Sequence, residues 1–390
     1  MATEARTLPA GSVLVHIGPY KTGSTAIQHS LAARRDELEA AGVWYPGQQY
    51  RHMRQSWAVV ERPMRGVDPV PLAEWDDFAA EIRAREGDRV CVSSEDFVLA
   101  TKAQVARIVE DLGPDRVHVL LVARRLDRLL PSGWQERVKS SNETLSYDDF
   151  LAATMDETRA HRSSKRFWFN HELSAILDRW GSAVPPERLH VLVADEGRRD
   201  RTHRVFEQLL GLPDGLLVPA GRPNASLSYE RVDLVRRLNE IFDEHGWADR
   251  DRLRLIHWGM LRGLEDVPFG SQETAIPPVP AWAHARLAEL DQQRIDSLAR
   301  PGIDVIGDPE LLRSQPGAEA TPSSDVLDVG VVARAVEGVV AARLRRSRRR
   351  TPAPATPPPS PARTDAADVP GRELVRELGR RVRRRFHLGG

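Results

Sequence analysis

The sequence predicts a three-layer α/β fold, in which a parallel central sheet is covered by helices on both faces. Short and continuously apolar runs alternate along the chain with segments of helical periodicity, and such runs are typical of strands buried in a parallel sheet. The first run, VLVHI at 13–17, leads into a loop rich in Gly, Pro and Thr. Helical spacing follows over about 25–41. This order of strand, loop and helix is the first repeat of the predicted sheet.

Further apolar runs predict the remaining strands. They cover residues 89–92, 117–123 and 189–193, with helical patterns near 73–86, 101–112, 127–141, 170–181 and 227–244. Parallel sheets bind ligands in the crevice at the carboxyl ends of their strands, so polar residues that follow each run are the candidate site residues. Residues 47–72, rich in Pro, Gly, Arg and His, predict an irregular loop beside this crevice.

Composition limits the class of protein. The net charge is zero, but residues 341–390 contain fourteen Arg and four acidic residues, so the preceding residues carry a net charge of −10. A dedicated nucleic-acid-binding domain would carry positive charge on its folded part, and we therefore expect no nucleic-acid partner. Without an apolar stretch of roughly 18 residues, the chain is expected to be cytoplasmic and to lack a membrane anchor. The single cysteine, Cys91, lies in an apolar run and predicts an inert buried thiol.

The carboxyl-terminal region is expected to be separate from the catalytic body. We predict a catalytic domain over 1–310, a helical extension over 311–350 that includes a helix at 325–346, and a linker and basic tail over 351–390. The run TPAPATPPPSP at 351–361 cannot hold a helix, and the basic tail is expected to be largely disordered, with one further helical pattern at 371–386. A tail that binds nucleic acid or an anionic membrane is the alternative interpretation.

The loop after the first strand has the frame of a phosphate-binding loop. Gly18 and Gly23 are the ends of a G-x-x-x-x-G pattern that Ser24 and Thr25 follow. Ser24 stands where nucleoside-triphosphate-binding loops have a lysine, and Lys21 comes two residues before the second glycine. Backbone amides at the start of the helix would still bind a phosphate. The alternative is an ordinary glycine-containing turn with a surface lysine.

The segment HIGPYKTGSTAIQ resembles the 5′-phosphosulfate-binding segment of sulfotransferases that use 3′-phosphoadenosine 5′-phosphosulfate, above all the bacterial ones. The resemblance implies a fold like that of the P-loop nucleotide kinases. It also implies that Lys21 contacts the phosphate and the bridging oxygen of the donor. Thr22, Gly23, Ser24 and Thr25 would hold the 5′-phosphate. Tyr20 departs from the family pattern, because related sequences often have His there.

A second motif follows the run VHVLLVA. Arg124 ends that run, and Ser132 lies eight residues later, where the sequence predicts the start of a helix. The spacing is similar to the 3′-phosphate-binding element of sulfotransferases, which implies that Arg124 and Ser132 bind the 3′-phosphate. A guanidinium binds phosphate oxygens bidentately, and a hydroxyl near a helix N-terminus adds a donor. Arg125 is the alternative if the register shifts by one residue.

Glu95 is the candidate general base. It follows the strand RVCVS, so its carboxylate reaches the same sheet edge as the phosphate loop. Many sulfotransferases that act on carbohydrates or small molecules use a Glu in this role, whereas others use a His. Glu95 and Asp96 could instead cap the helix that follows. His16 is interpreted as a core residue, and Asp127 as a helix cap.

The resemblance covers about residues 13–240 and includes a loop in which Asn224 and Ser226 would approach the nucleotide. It implies transfer of a sulfuryl group to a hydroxyl or amine of a small-molecule or carbohydrate acceptor. No metal is expected, because a transferred sulfuryl group carries less negative charge than a phosphoryl group. The alternatives are a Mg²⁺-dependent kinase with a divergent phosphate loop and a non-catalytic scaffold whose basic tail binds anions. The oligomeric state is not predicted.

Overall fold

A computed structural model describes residues 6–62, 67–198, 200–218, 226–265, 267–270, 273–315, 317 and 326–350. In these residues a six-stranded sheet has the order β2-β3-β1-β4-β5-β6, and each pair of neighbouring strands is parallel. The strands are β1 (Val13–His16), β2 (Val43–Trp44), β3 (Arg89–Ser93), β4 (Val117–Ala123), β5 (Leu189–Val193) and β6 (Asp304–Ile306). The predicted α/β fold with a parallel sheet is confirmed.

Helices connect the strands and continue beyond β5. They are α1 (Ser24–Ala33), α2 (Arg35–Ala40), α3 (Met53–Val59), α4 (Ala73–Arg83), α5 (Lys102–Leu112), α6 (Leu126–Ser140), α7 (Tyr147–Met155), α8 (Arg162–His171), α9 (Leu173–Trp180), α10 (Arg201–Leu210), α11 (Tyr229–Glu244), α12 (Asp249–Arg252), α13 (Leu261–Glu265), α14 (His284–Leu298) and α15 (Val329–Arg350). A π-helical segment, Leu253–Met260, joins α12 to α13.

At the centre of the sheet, the direction in which successive strands are added reverses. Strand β1 lies between β3 and β4, so the connections that leave β1 and β3 run to opposite sides of it. Parallel α/β sheets form a ligand-binding crevice at such a point. The pairing continues past β1, because the Ile17 amide donates to the Leu120 carbonyl at 3.0 Å and the Val122 amide donates to the Gly18 carbonyl at 2.8 Å. The loop after β1 therefore begins in a fixed position.

Alternate residues of β1 pack into separate cores on the two faces of the sheet. Val13 and Val15 join a cluster with residues of α4, α5 and α9, whereas Leu14 joins a cluster with residues of α1, α2 and α10. Both sets are almost completely buried, which explains why the strands are continuously apolar in sequence. A third cluster joins α6, α7, α8, α11, α14 and α15.

The structure differs from the sequence prediction in several elements. The region 47–72 was expected to be irregular, but α3 lies within it, so the prediction was wrong there. The helix predicted at 325–346 corresponds to α15, and β2 and β6 were not predicted. The chain divides into Met1–Arg343 and Leu344–Gly390, while the predicted domain boundaries stay a prediction. The proline-rich linker, the basic tail, its helix at 371–386 and Asn224 lie outside the described residues. No helix in the described ranges is long and apolar enough to cross a bilayer.

Candidate active site

The loop between β1 and α1 turns sharply because three of its residues have positive φ. Gly18 has φ 86°, Lys21 has φ 67° and Gly23 has φ 96°. Glycine adopts this conformation without steric cost, whereas a residue such as lysine rarely does. Such strained residues persist only when the surroundings hold them in place, and they are common at functional sites. Lys21 is therefore held in an unfavourable backbone conformation by the residues around it.

The N-terminus of α1 is a suitable place for an anion. Gly23 is the N-cap residue and provides no capping side chain, so the first amides of the helix, from Ser24 and Thr25 onward, have no side-chain cap. The Ser24 hydroxyl is buried, and no hydrogen-bond partner for it exists among the described residues. The Thr22 hydroxyl donates to the Pro19 carbonyl at 2.7 Å and stabilises the turn. Free amides, the helix dipole and an unpartnered hydroxyl together fit a phosphate group.

The ammonium group of Lys21 pairs with a carboxylate from α6. Lys21 Nζ lies 2.8 Å from Glu136 Oε2, and both side chains are partly exposed, at 26% and 35%. Burial opposes ionisation of the Glu136 carboxyl, but the charges of Lys21 and Lys139 and the hydrogen bonds from Lys21 and Ser140 together outweigh it, so the pKa of Glu136 lies below its usual value. No sequence pattern predicts this pair, because residues 21 and 136 belong to elements far apart along the chain.

Arg124 lies just after β4 and contacts both the loop between β1 and α1 and the segment after β5. Its Nη1 donates to the Lys21 carbonyl at 2.7 Å. Its Nε and Nη2 donate to the two carboxylate oxygens of Glu196 at 2.6 and 3.0 Å. The hydrogen bond from Arg124 is the main reason that the pKa of Glu196 is lowered. Arg124 thus fixes the backbone at the strained residue Lys21.

Ser132 occupies a different position from the one predicted. Helix α6 begins at Leu126, so Ser132 is in its second turn and not at its start. The Ser132 hydroxyl donates to the Arg128 carbonyl at 2.8 Å within the same helix. The alternative residue Arg125 is buried, and its Nη2 donates to Asp127 at 2.8 Å. The structure brings Arg124 to the loop, whereas the Ser132 hydroxyl bonds to the backbone of its own helix.

Glu95 lies directly against the loop between β1 and α1. A Cβ atom placed on Gly18 would be 2.9 Å from the Glu95 Cβ. Glu95 is largely buried; Gln28 donates to its Oε2 at 3.1 Å, and Arg51 forms an ion pair with its Oε1. Glu95 is not a helix cap, because the Ser94 hydroxyl caps the 3₁₀ turn Glu95–Leu99. The cap of α5 is Thr101.

The neighbouring carboxylate of Asp96 is held in place by hydrogen bonds and an ion pair. It is almost fully buried and accepts hydrogen bonds from the Tyr20 hydroxyl and, at 2.9 Å, from the Trp57 indole; Arg62 forms an ion pair with it. Burial is the main reason that the pKa of Tyr20 is raised. The Tyr20 hydroxyl therefore has a buried carboxylate as its hydrogen-bond acceptor. This contact joins the loop to the region around α3.

His16 is a core residue, in agreement with the sequence interpretation. Its Nδ1 lies 2.8 Å from the Ser93 hydroxyl, and its ring contacts Phe206 edge-on. Burial lowers the pKa of His16 to about 4, so the imidazole is neutral near pH 7. The other ring nitrogen, Nε2, is buried without a partner among the described residues. The contact with Ser93 joins the ends of the neighbouring strands β1 and β3.

Sequence reasoning missed the partners of the candidate residues. Gln28, Arg51, Glu136 and Glu196 contact Glu95, Lys21 or Arg124. The basic composition of residues 47–72 was the available signal for Arg51. In the part of the chain that the structure describes, no group of three His, Cys, Asp or Glu side chains could hold a metal ion.

Comparison with known proteins adds one structural similarity. No protein-family model matches the chain, and no curated protein matches it. Among solved structures, a sulfotransferase from Alicyclobacillus acidocaldarius is similar, with 17% sequence identity and a TM-score of 0.36. The similarity covers 61% of this chain and 93% of that chain. Because this similarity is low, the fold class rests on the sheet topology described above and not on the comparison.

Proposed function

We propose that the protein is a sulfotransferase that moves the sulfuryl group of 3′-phosphoadenosine 5′-phosphosulfate to a hydroxyl or amine of a small-molecule or carbohydrate acceptor. The observation that carries the proposal is the contact between Gly18 and Glu95. It supports the proposal because Glu95 packs against the loop that we propose to hold phosphate, and Lys21 belongs to the same loop. A proton acceptor and a cation beside one anion site suit transfer between the donor and a nucleophile.

The residues of the loop would hold the donor. Amides of Gly23, Ser24 and Thr25 and the unpartnered Ser24 hydroxyl suit the 5′-phosphate, with Thr22 keeping the turn closed. Arg124 is our candidate for the 3′-phosphate, because a guanidinium binds phosphate bidentately. To do so it would exchange Glu196 for the ligand. Ser132 stays a candidate only if its hydroxyl turns away from the Arg128 carbonyl.

In the proposed reaction, a lone pair of the acceptor oxygen or nitrogen forms a new bond to sulfur. The bond between sulfur and the bridging oxygen breaks, and its electron pair stays on that oxygen, which gives adenosine 3′,5′-bisphosphate. Glu95 accepts the proton that the acceptor loses. Lys21 stabilises the negative charge that grows on the bridging oxygen. Arg51 would have to release the Glu95 carboxylate at this stage, because the two now form an ion pair.

Binding of the donor product tests the proposal first. We expect calorimetry to show adenosine 3′,5′-bisphosphate binding without added metal, and to show weaker binding of ATP with Mg²⁺. A preference for ATP with Mg²⁺ would support a kinase with a divergent phosphate loop and overturn the proposal. Absence of binding by either nucleotide would favour the non-catalytic scaffold.

Replacement of Glu95 tests the base. Glu95→Gln keeps the size of the side chain but removes its ability to take a proton, and its NH2 group replaces one of the two oxygens that accept hydrogen bonds from Gln28 and Arg51. We expect turnover to fall about 10²- to 10⁴-fold, the usual contribution of a general base, while bisphosphate affinity changes little. Glu110→Gln, at an exposed position of α5, is the matched control. An unchanged rate would assign the base to another residue. The cytoplasmic location and the absence of a metal requirement remain parts of the proposal.

A further inference from the structure

The ion pair between Lys21 and Glu136 conflicts with the role proposed for Lys21. The ammonium group that should contact the donor lies 2.8 Å from the Glu136 carboxylate. The lysine ammonium is a compact charge on a flexible stem, so it can exchange one anionic partner for another by rotation of its side chain. The partner in the present structure is therefore one of two that Lys21 can have.

Glu136 is well placed to compete with a ligand of the loop. Its carboxylate lies 2.8 Å from the Lys21 ammonium, so an anion bound by the same ammonium would lie close to the Glu136 charge. The backbone of Lys21 is held by Arg124, so only the side chain is free to move. Both charged groups are partly exposed, and ion pairs of this kind are weak enough to exchange.

We propose that Glu136 is a positioning residue that holds Lys21 in the donor-free enzyme and that donor binding transfers Lys21 from Glu136 to the phosphosulfate. The inference rests on the proposed function. Two anions compete for one ammonium group, so the Glu136 charge weakens donor binding until Lys21 changes partner. Donor binding thus moves the Lys21 ammonium from the Glu136 carboxylate to the bridging oxygen of the donor.

A double-mutant cycle tests this exchange. Adenosine 3′,5′-bisphosphate is titrated calorimetrically into the full chain and into Glu136→Gln, Lys21→Met and the double variant. Glu136→Gln should bind the bisphosphate about fivefold more tightly, because Lys21 no longer has to break an ion pair worth about that factor. With Met at position 21, the same change should gain about twofold at most, from the loss of repulsion between Glu136 and the ligand. The excess gain in the presence of Lys21 is the coupling between the two residues.

The possible outcomes separate the exchange from other roles. Equal gains with and without Lys21, or no gain in Glu136→Gln, would overturn it. Glu136→Asp, which keeps the charge, should bind close to the wild-type affinity, and a gain equal to that of Glu136→Gln would also contradict the exchange. Thermal unfolding of each variant shows whether a change in affinity reflects a loss of folding. If the wild-type chain binds no bisphosphate at all, the proposed function fails, which is a result distinct from a failed exchange.

Discussion

Glu95 packs against the backbone of Gly18 so closely that a side chain at position 18 has no room. A Cβ atom on Gly18 would lie 2.9 Å from the Glu95 Cβ and 3.0 Å from the Glu95 Cα. Position 18 also has φ 86°, which disfavours any residue with a Cβ. The two residues follow neighbouring strands, β1 and β3, so the parallel pairing of these strands sets the distance between the loop and the candidate base.

The first prediction concerns this contact. Gly18→Ala should lower the free energy of unfolding by about 2–4 kcal/mol, because backbone strain and the overlap with Glu95 add together. Gly42→Ala is the matched control: Gly42 has φ 72°, but nothing lies within 4 Å of its added Cβ. That variant should lose about 1 kcal/mol. Urea denaturation measures both losses, and equal values would show that the overlap relaxes without cost.

The sequence predicted the parts of the site that depend on local order along the chain. The G-x-x-x-x-G loop after an apolar run led to the candidate anion site at α1, and the polar residues after the run at 89–92 led to Glu95 as the candidate base. Parallel strands end at one edge, so these features had to converge. The pairs Lys21–Glu136 and Arg124–Glu196 could not be predicted, because each joins segments far apart in sequence.

The position of Ser132 shows another limit of local patterns. The spacing from Arg124 led us to expect Ser132 at the start of a helix, although the helical pattern itself covers about 127–141. The structure begins α6 at Leu126 and keeps Pro131 inside the helix. Burial explains the longer helix: Leu126, Leu129 and Leu130 lie in the apolar core, and their packing offsets the hydrogen bond that proline cannot donate.

The second prediction separates two roles of Arg124. If Arg124 binds the 3′-phosphate, Arg124→Ala should weaken adenosine 3′,5′-bisphosphate at least tenfold more than adenosine 5′-phosphate. Both ligands should also lose some affinity, because Arg124 supports the Lys21 carbonyl. Calorimetry with the two nucleotides measures the difference. Equal losses would restrict Arg124 to holding the loop, and Glu196→Gln shows how much the carboxylate partner contributes.

The third prediction concerns a buried ion pair outside the site. Arg231 and Glu273 each have side chains only 1% exposed, and the guanidinium contacts both carboxylate oxygens at 2.8 and 2.7 Å. It also donates to the carbonyls of Leu264, Val267 and Pro268. Arg231→Met leaves the Glu273 charge buried and unpaired, which should cost about 3–5 kcal/mol of unfolding free energy.

Urea denaturation with a second variant shows whether the unpaired charge causes that loss. Replacing both residues, Arg231→Met with Glu273→Leu, removes the buried charge and should recover part of the stability. If the double variant is no more stable than Arg231→Met alone, most of the lost unfolding free energy would come from the bonds between Arg231 and the three carbonyls and not from the unpaired charge of Glu273.

The fourth prediction is a dependence of stability on pH through His52. The His52 ring is buried; its Nδ1 accepts a hydrogen bond from the Ser93 amide at 2.9 Å, so the ring proton is on Nε2, which lies 2.9 Å from the Pro46 carbonyl. Burial lowers the pKa of His52 to about 4 from 6.5. A second ring proton would also point at the Ser93 N–H group. The folded chain therefore favours the neutral ring.

The sign of the effect follows from which state binds the proton first. As the pH falls below 6.5, the unfolded chain protonates at His52 while the folded chain does not, so stability is lost between pH 6.5 and about 4. The loss from this one group should reach about 3 kcal/mol.

Asn at this position can accept the Ser93 hydrogen bond without titrating, so His52→Asn should be less stable at pH 7 but should lose about 3 kcal/mol less on acidification. Urea denaturation from pH 7 to 4 measures both slopes, with His245→Asn at an exposed position as the control. Parallel curves for wild type and His52→Asn would show that His52 takes up its proton equally in the folded and unfolded states.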